Sequence, residues 1–431
     1  MPPVPELVSD MTPRRAFVAD HMAVLPYGHN VEALHLFNTE LTRRGIAVTT
    51  LVGAQLPKGV DGTADFQRVL TYPYNGQTEV LHKYRRFPKE APPLASKLVK
   101  HRDKLLWTTL AKAGHDLMRS RVARNWRAVI TRFGIGAGDW IFLPSADHYG
   151  LLSLLDALQN IPADQRPAVH GRLIGVMETF SYTPGPARSR LLTAVRDAQR
   201  AGINVSLSAE TPVYQDYLTT VMRQDVGYLT YPCIAPWTPV DWDARPFRLT
   251  SPGQGRIDKG YGQLVTLSDA LKSRFERGDL VLTTQAMRRD DFYRKPAYEA
   301  RLAAKIDLEV LPARLPSAEI TQLYERAHLL VLPYLRDVYA LRGSAVYQEG
   351  LAHGRLVVTY DGTGVASMVQ RYGNGVCVKD ERAMAEAVHA LSQRPAAWVH
   401  DTTKRARTAY EADFARSFDT VLSAAFEGNK E

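Results

Sequence analysis

Short apolar runs that read as buried strands alternate with amphipathic helical periods along most of the 431 residues, and the alternation starts twice. Strand–helix–strand repetition of this kind forces a parallel sheet, because two parallel neighbours need a long crossover and a helix supplies it. The first series runs from Arg15–Asp20 (RAFVAD) through a helix over about Asn30 to Arg44 and strands at Ile46–Val52, Trp140–Pro144 and Gly171–Met177. Helices at Pro186–Ala201 and Pro212–Met222 flank a strand at Ile203–Ser208, and Tyr228–Pro232 ends the series. The stretch 233–246, with three prolines and no period, breaks the pattern. It then restarts with FRLTSP at Phe247 and continues to about residue 395, with 396–431 closing as one or two helices. The expected class is α/β, two Rossmann-like domains facing a cleft: 1–235 on one side, a linker at 236–246, and 247–395 on the other.

A chain of this length exceeds one ordinary hydrophobic core, which agrees with two domains. Two cysteines, Cys233 and Cys377, argue against a disulfide framework or a cysteine-built zinc site and suit a reducing compartment. No run of membrane-spanning or signal-peptide length is present, so a cytoplasmic location is expected, with membrane contact only from the surface. The net charge of +9 is unevenly spread. Between His82 and Arg132 stand 14 Lys or Arg against three acids, more than the whole chain's excess. This basic helical insertion, about 78–133, is expected to show one buried and one cationic face and to attract an anionic membrane or a lipid diphosphate. Nucleic acid is not expected, since no module that reads it is present.

Two stretches of the second half carry the chemistry. In LLVLPYLRDVYALRGSAVYQEGLAHGRLVVTYDGTG (Leu329–Gly364), a strand leads through a small-residue loop into a helix opening near Gly343-Ser344. The free N–H groups and dipole of such a helix mouth favour phosphate. Glu349, about one and a half turns in, can accept hydrogen bonds from sugar hydroxyls. The second stretch, Gly253-Gln254-Gly255-Arg256-Ile257-Asp258-Lys259-Gly260, follows a strand and places two cations near a phosphate pair. Its glycines are not spaced as in dinucleotide-binding loops.

These motifs resemble the donor domain of retaining GT-B-fold glycosyltransferases of family four. There a G-R-x-x-x-K-G loop binds the nucleotide-sugar diphosphate; here Gly255, Arg256, Lys259 and Gly260 form a version one residue shorter. The family's E-A-x-A-x-G-x-P-V-V phrase is matched by Glu349-Gly350-Leu351-Ala352-His353-Gly354-Arg355-Leu356-Val357-Val358. The resemblance implies that Arg256 and Lys259 act on the departing diphosphate, that Gly343 and Ser344 contribute backbone donors, and that Glu349 holds ribose. Eight residues before Glu349 the family has a second Glu for the donor sugar, but this chain has Leu341, with Arg342 beside it as a further donor-binding candidate.

The first half resembles the acceptor domain more loosely. Gly28 and His29 at the first helix start, Asp147 and His148 past a strand end, and Glu178 are the acceptor-side candidates, His148 as the group nearest the reacting carbon. The resemblance implies transfer of a sugar, with retention, from a nucleotide-diphosphate donor to a hydroxyl of a glycan or lipid-linked acceptor. No metal or other cofactor is required, and Asp241-Trp242-Asp243 reads as a coincidental D-x-D in the linker. Two alternatives are a weakened nucleotide-sugar-binding partner subunit, suggested by Leu341, and a sugar-nucleotide epimerase on the same fold.

Overall fold

The computed structural model describes residues 14–25, 29–71, 117–175, 185–233, 235–287 and 298–426. Their strands form two sheets. The first contains β1 (Arg15–Asp20), β2 (Ala47–Gly53), β3 (Gln67–Leu70), β4 (Asp139–Ala146), β5 (Ala168–Leu173), β6 (Val205–Ala209) and β7 (Gly227–Tyr228), ordered β3-β2-β1-β4-β5-β6-β7. The second contains β8 (Phe247–Ser251), β9 (Leu280–Gln285), β10 (Asp307–Leu311), β11 (Leu329–Leu332), β12 (Leu356–Tyr360) and β13 (Gly375–Val378), ordered β10-β9-β8-β11-β12-β13. Every pairing is parallel. In each sheet the strand order reverses beside its first strand, between β1 and β4 and between β8 and β11. Crevices for ligands open at the C-terminal ends of strands at such switch points.

The strands look uniformly apolar because both faces are covered. All eight residues of β4 and all five of β12 are buried. Alternate side chains serve opposite faces. Phe17, Ile141 and Leu143 meet Val122, Trp126 and Val129 of the helix Leu117–Phe133, while Ala16, Val18, Trp140 and Phe142 meet Leu34, Phe37 and Leu41 of the helix His29–Arg43. On the outer side of Leu117–Phe133, Arg121, Arg124 and Arg127 are exposed. The remainder of the expected basic insertion lies outside the described residues. Among the described residues no helix is long and apolar enough to cross a membrane.

The described residues end in one 31-residue helix, Ala396–Phe426. Its start packs through Val399 on the second sheet's core, its middle through Ala406 and Tyr410 on tyrosines beside that sheet, and its end through Phe414, Phe418 and Val421 on the first sheet. Polar bonds fix the crossing. The Tyr410 hydroxyl donates to the Tyr231 carbonyl at 2.9 Å, and Asp413 accepts from Arg371 at 2.6 Å and from the Tyr372 hydroxyl at 2.9 Å.

Several elements differ from expectation for identifiable reasons. β5 starts at Ala168, before the expected Gly171, because the buried His170 and Arg172 break the apolar run. His170 is satisfied by Ser206 and Ser208 hydroxyls at 2.8 and 2.9 Å, and Arg172 donates its Nε and Nη1 to the Leu229 and Pro144 carbonyls at 2.6 and 2.9 Å. The short strands β3 and β13 lie at sheet edges, and the helices Gly364–Tyr372 and Glu381–Ser392 are capped by Thr363 and Asp380. Phe418 is fully buried, with its ring 5.9 Å from Phe37, 6.4 Å from Phe142 and 5.2 Å from Phe414. Phe418→Ala is therefore expected to destabilise the protein by roughly 3–5 kcal/mol, read as a lowered denaturation midpoint in urea.

Candidate functional site

The loops that follow β8 and β11 meet at the second sheet's switch point, and glycine permits the approach. Gly260 has φ +78°, and a Cβ there would lie 1.8 Å from the Pro333 carbonyl oxygen, so no other residue fits without moving the backbone. The Leu335 N–H donates to the Asp258 carbonyl at 3.1 Å, stitching the two loops together. Gly255 serves packing as well. It bridges to Met287, and a Cβ there would crowd Gln285 and Tyr261.

This seam gathers charge. Arg256 donates its Nε to Asp258 Oδ1 at 2.8 Å and a second guanidinium nitrogen to Oδ2. Arg342, from the β11 side, brings Nη1 to 3.8 Å from the same carboxylate and lays its guanidinium 4.3 Å from the Tyr339 ring centre. Lys259 holds its Nζ 5.9 Å from the Tyr334 ring centre. A Cβ on Gly253 would come within 2.7 Å of that ammonium, so the glycine leaves it room. Tyr334 and Tyr339 pack with ring centres 4.4 Å apart, walling the site.

The electrostatics follow from this crowding. Burial, with Arg256 next in effect, pulls Lys259 down to about 8, against the attraction of Asp258 and Glu349. Burial would raise Asp258, but the bonds and charge of Arg256, with Arg342 and Lys259, hold it below the usual carboxylate range. Glu349 is raised by burial, offset in part by the nearby Tyr324 hydroxyl, which itself donates to the Val346 carbonyl at 3.3 Å. Glu32, from the helix beside the first sheet, raises it further, and Lys259 lowers it. Arg256, Lys259, Arg342 and Glu349 thus share one electrostatic neighbourhood.

Ser344 is the N-cap of the helix Ala345–Ala352, its Oγ accepting the Tyr347 N–H at 3.4 Å and lying 3.2 Å from the Tyr334 hydroxyl. The Gly343 N–H, expected to face a phosphate, instead donates to Oε1 of Glu210 at 3.0 Å. Leu341 packs on the first sheet's core and contributes no carboxylate.

Across the cleft, Asp147 ends β4 as the N-cap of the helix His148–Leu158 and accepts the Gly150 N–H at 2.8 Å. It is buried and raised by that burial, with His21 opposing. His148 is the first residue of that helix, and His29 opens His29–Arg43. Gly28 and Glu178 lie outside the described residues. Sequence reasoning missed Asp20 and His21 at the end of β1, beside Asp147 at the first sheet's switch point. Burial pushes Asp20 up to about 7 although Asn30 and the Met22 and Ala23 amides donate to it. It also missed Glu210, Asp258 and Tyr334; of these only Asp258 carried a signal, sitting between two basic candidates. Among the described residues no group of three or more His, Cys, Asp or Glu is placed to hold a metal ion.

Two Rossmann-like units, each with its switch point toward a common cleft, define the GT-B class. Solved structures carry the same frame: sucrose-phosphate synthase from Thermosynechococcus elongatus (TM-score 0.58, 15% identity, 95% of this chain and 100% of that one). A UDP-forming α,α-trehalose-phosphate synthase from Burkholderia xenovorans matches likewise (0.56, 13%, 96% and 99%), as does a putative UDP-N-acetylglucosamine 2-epimerase from Listeria monocytogenes (0.54, 12%, 97% and 98%). At these identities the likeness establishes the fold. Residues 256–394 match the family model described as glycosyl transferases group 1, the span that holds the cationic seam and Glu349. The second unit thus carries a glycosyl transferases group 1 domain, set in a GT-B frame that the chain shares with those structures. No curated protein sequence matches it.

Lys259 gives the site a pH signature. A lysine must be protonated to attract an anion, so a folded value near 8 means that attraction is lost as pH rises through about 8. Pyrophosphate affinity, measured by titration calorimetry, should fall above that point by up to about tenfold per pH unit. In Lys259→Arg, whose guanidinium stays charged, the fall should disappear.

Proposed function

We propose that the protein transfers a sugar from a nucleoside-diphosphate sugar to an acceptor hydroxyl, with the donor diphosphate seated on Arg256, Lys259 and Arg342. The observation that carries this reading is the convergence of those three cations on Asp258 at the second sheet's switch point, with Glu349 within electrostatic reach. Departure of a nucleoside diphosphate builds negative charge on its outer phosphate, and fixed cations in a half-buried seam stabilise that charge without reorganising. Glu349, placed deeper along the helix Ala345–Ala352, is the acceptor for ribose hydroxyls. The switch point of the first sheet, with Asp20, His21, Asp147 and His148, supplies the acceptor side. Retention at the anomeric carbon rests on the resemblance to family four and is read from the product's configuration by proton NMR. Contact of the 82–132 stretch with anionic lipid is part of the same proposal; binding to vesicles that contain phosphatidylglycerol should weaken as salt rises.

A second reading, a nucleotide-sugar-binding partner subunit, is favoured by Leu341, which turns to the other sheet's core where the family has a carboxylate. It predicts binding without transfer. The epimerase alternative predicts donor interconversion with no acceptor added, so one assay that separates product glycan from altered donor decides among the three.

The donor base is found by a thermal-shift screen with GDP, UDP, ADP and their sugar conjugates, since a ligand bound only by the folded state raises the unfolding temperature. With the donor so found, Arg256→Ala and Lys259→Ala should each lower transfer about 100-fold or more. Unchanged turnover in both variants removes the assignment.

A further inference from the structure

Glu210 follows β6 directly and sits almost wholly buried in the cleft. Its Oε1 accepts two backbone N–H groups from opposite sides, Gly175 past β5 at 2.7 Å and Gly343 at the mouth of the helix Ala345–Ala352 at 3.0 Å. Next to it the Thr211 hydroxyl donates to the Leu341 carbonyl at 3.0 Å. The backbone of Leu341 and Arg342 passes between two glycines that only a missing side chain allows. A Cβ on Gly175 would lie 2.4 Å from the Leu341 oxygen, and one on Gly364 would lie 2.3 Å from the Arg342 oxygen. A Cβ on Gly343 would meet the Glu210 carboxylate at 2.8 Å. The loop 341–343 is thus one part of the second unit that docks on the first, with the Tyr372 hydroxyl 3.0 Å from that of Tyr228 as another, and Leu341 completes the loop's contact by packing on the first core.

The chemistry of this contact is that of an anion at a helix mouth. The carboxylate takes an N–H that would otherwise point at a phosphate, and it does so next to Arg342 and Tyr339, in the neighbourhood of the cationic seam. Two anions cannot share that one donor, and their like charges repel. We propose that Glu210 is an interdomain latch that stands in for a donor phosphate at Gly343, so that a diphosphate and the Glu210 contact exclude one another. Diphosphate binding then releases the 341–343 loop from the first unit, and loss of the diphosphate restores the closed contact. A ligand that must break a contact binds more weakly by the stability of that contact.

This inference rests on the reading that Arg256 and Lys259 hold the diphosphate, and the test separates the two. Titration calorimetry with inorganic pyrophosphate is run on the full chain as wild type, Arg256→Ala, Glu210→Ala and Glu210→Gln, with folding checked by circular dichroism. Weaker binding in Arg256→Ala supports the seating of the diphosphate, and unaltered binding there removes that reading whatever Glu210 does. With the seat in place, Glu210→Ala should bind pyrophosphate at least about fivefold tighter, with Glu210→Gln, which keeps an acceptor but loses the charge, between it and wild type. Small-angle scattering should show that pyrophosphate enlarges the radius of gyration of wild type and that Glu210→Ala is already enlarged without it. Equal or weaker pyrophosphate binding in a folded Glu210 variant overturns the latch; if Glu210→Ala does not fold, Glu210→Gln decides.

Discussion

Asp258 is the point on which the second half of the molecule depends. Three cations, Arg256, Lys259 and Arg342, meet where two loops cross, and like charges at such separations in a half-buried setting repel by several kcal/mol if nothing intervenes, at an effective dielectric near about 20. One carboxylate intervenes. It fixes the Arg256 guanidinium in two-pronged geometry, and it draws in Arg342 at 3.8 Å. The same residue's carbonyl accepts the Leu335 N–H, so backbone and charge are tied at one position. The result is a net positive seam held in place before any ligand arrives, the arrangement from which a fixed site draws its effect on a developing anion.

Much of the frame was legible because parallel sheets announce themselves. β8, β11 and β12 are short apolar runs bounded by turn residues, and the two series separated by a proline-rich stretch already implied two sheets. The illegible parts have physical reasons. His170 and Arg172 are polar residues whose partners, the hydroxyls of β6 and carbonyls of β4 and the stretch past β7, lie 28 to 57 residues away, so nothing local marks them as interior. Arg256, Lys259 and Glu349 were visible as types in a pattern. Their common neighbour Asp258 was overlooked because an acid between two bases reads as ordinary surface alternation. The Gly343 contact was hidden for a related reason: its N–H is taken by Glu210, 133 residues earlier, and a sequence displays no pairing between units.

The interface also accounts for Leu341. A carboxylate at this position would have to enter the first unit's apolar core or turn away from it, and burying an unpaired charge is costly. The leucine does the opposite and adds apolar contact to the first unit. The docking side chain thus stands where the resemblance to family four leads one to expect an acid, and the buried carboxylate at this contact is Glu210.

The final helix sets a limit on how the halves can move. It is about 45 Å long, rooted near Val399 in one core and near Phe418 in the other, with the Arg371, Tyr372 and Asp413 bonds gripping its middle. A spindle fastened at both ends lets two lobes swivel about its axis, yet it keeps them from drifting apart. Release of the 341–343 loop then turns the lobes about that helix while both cores keep their hold on it.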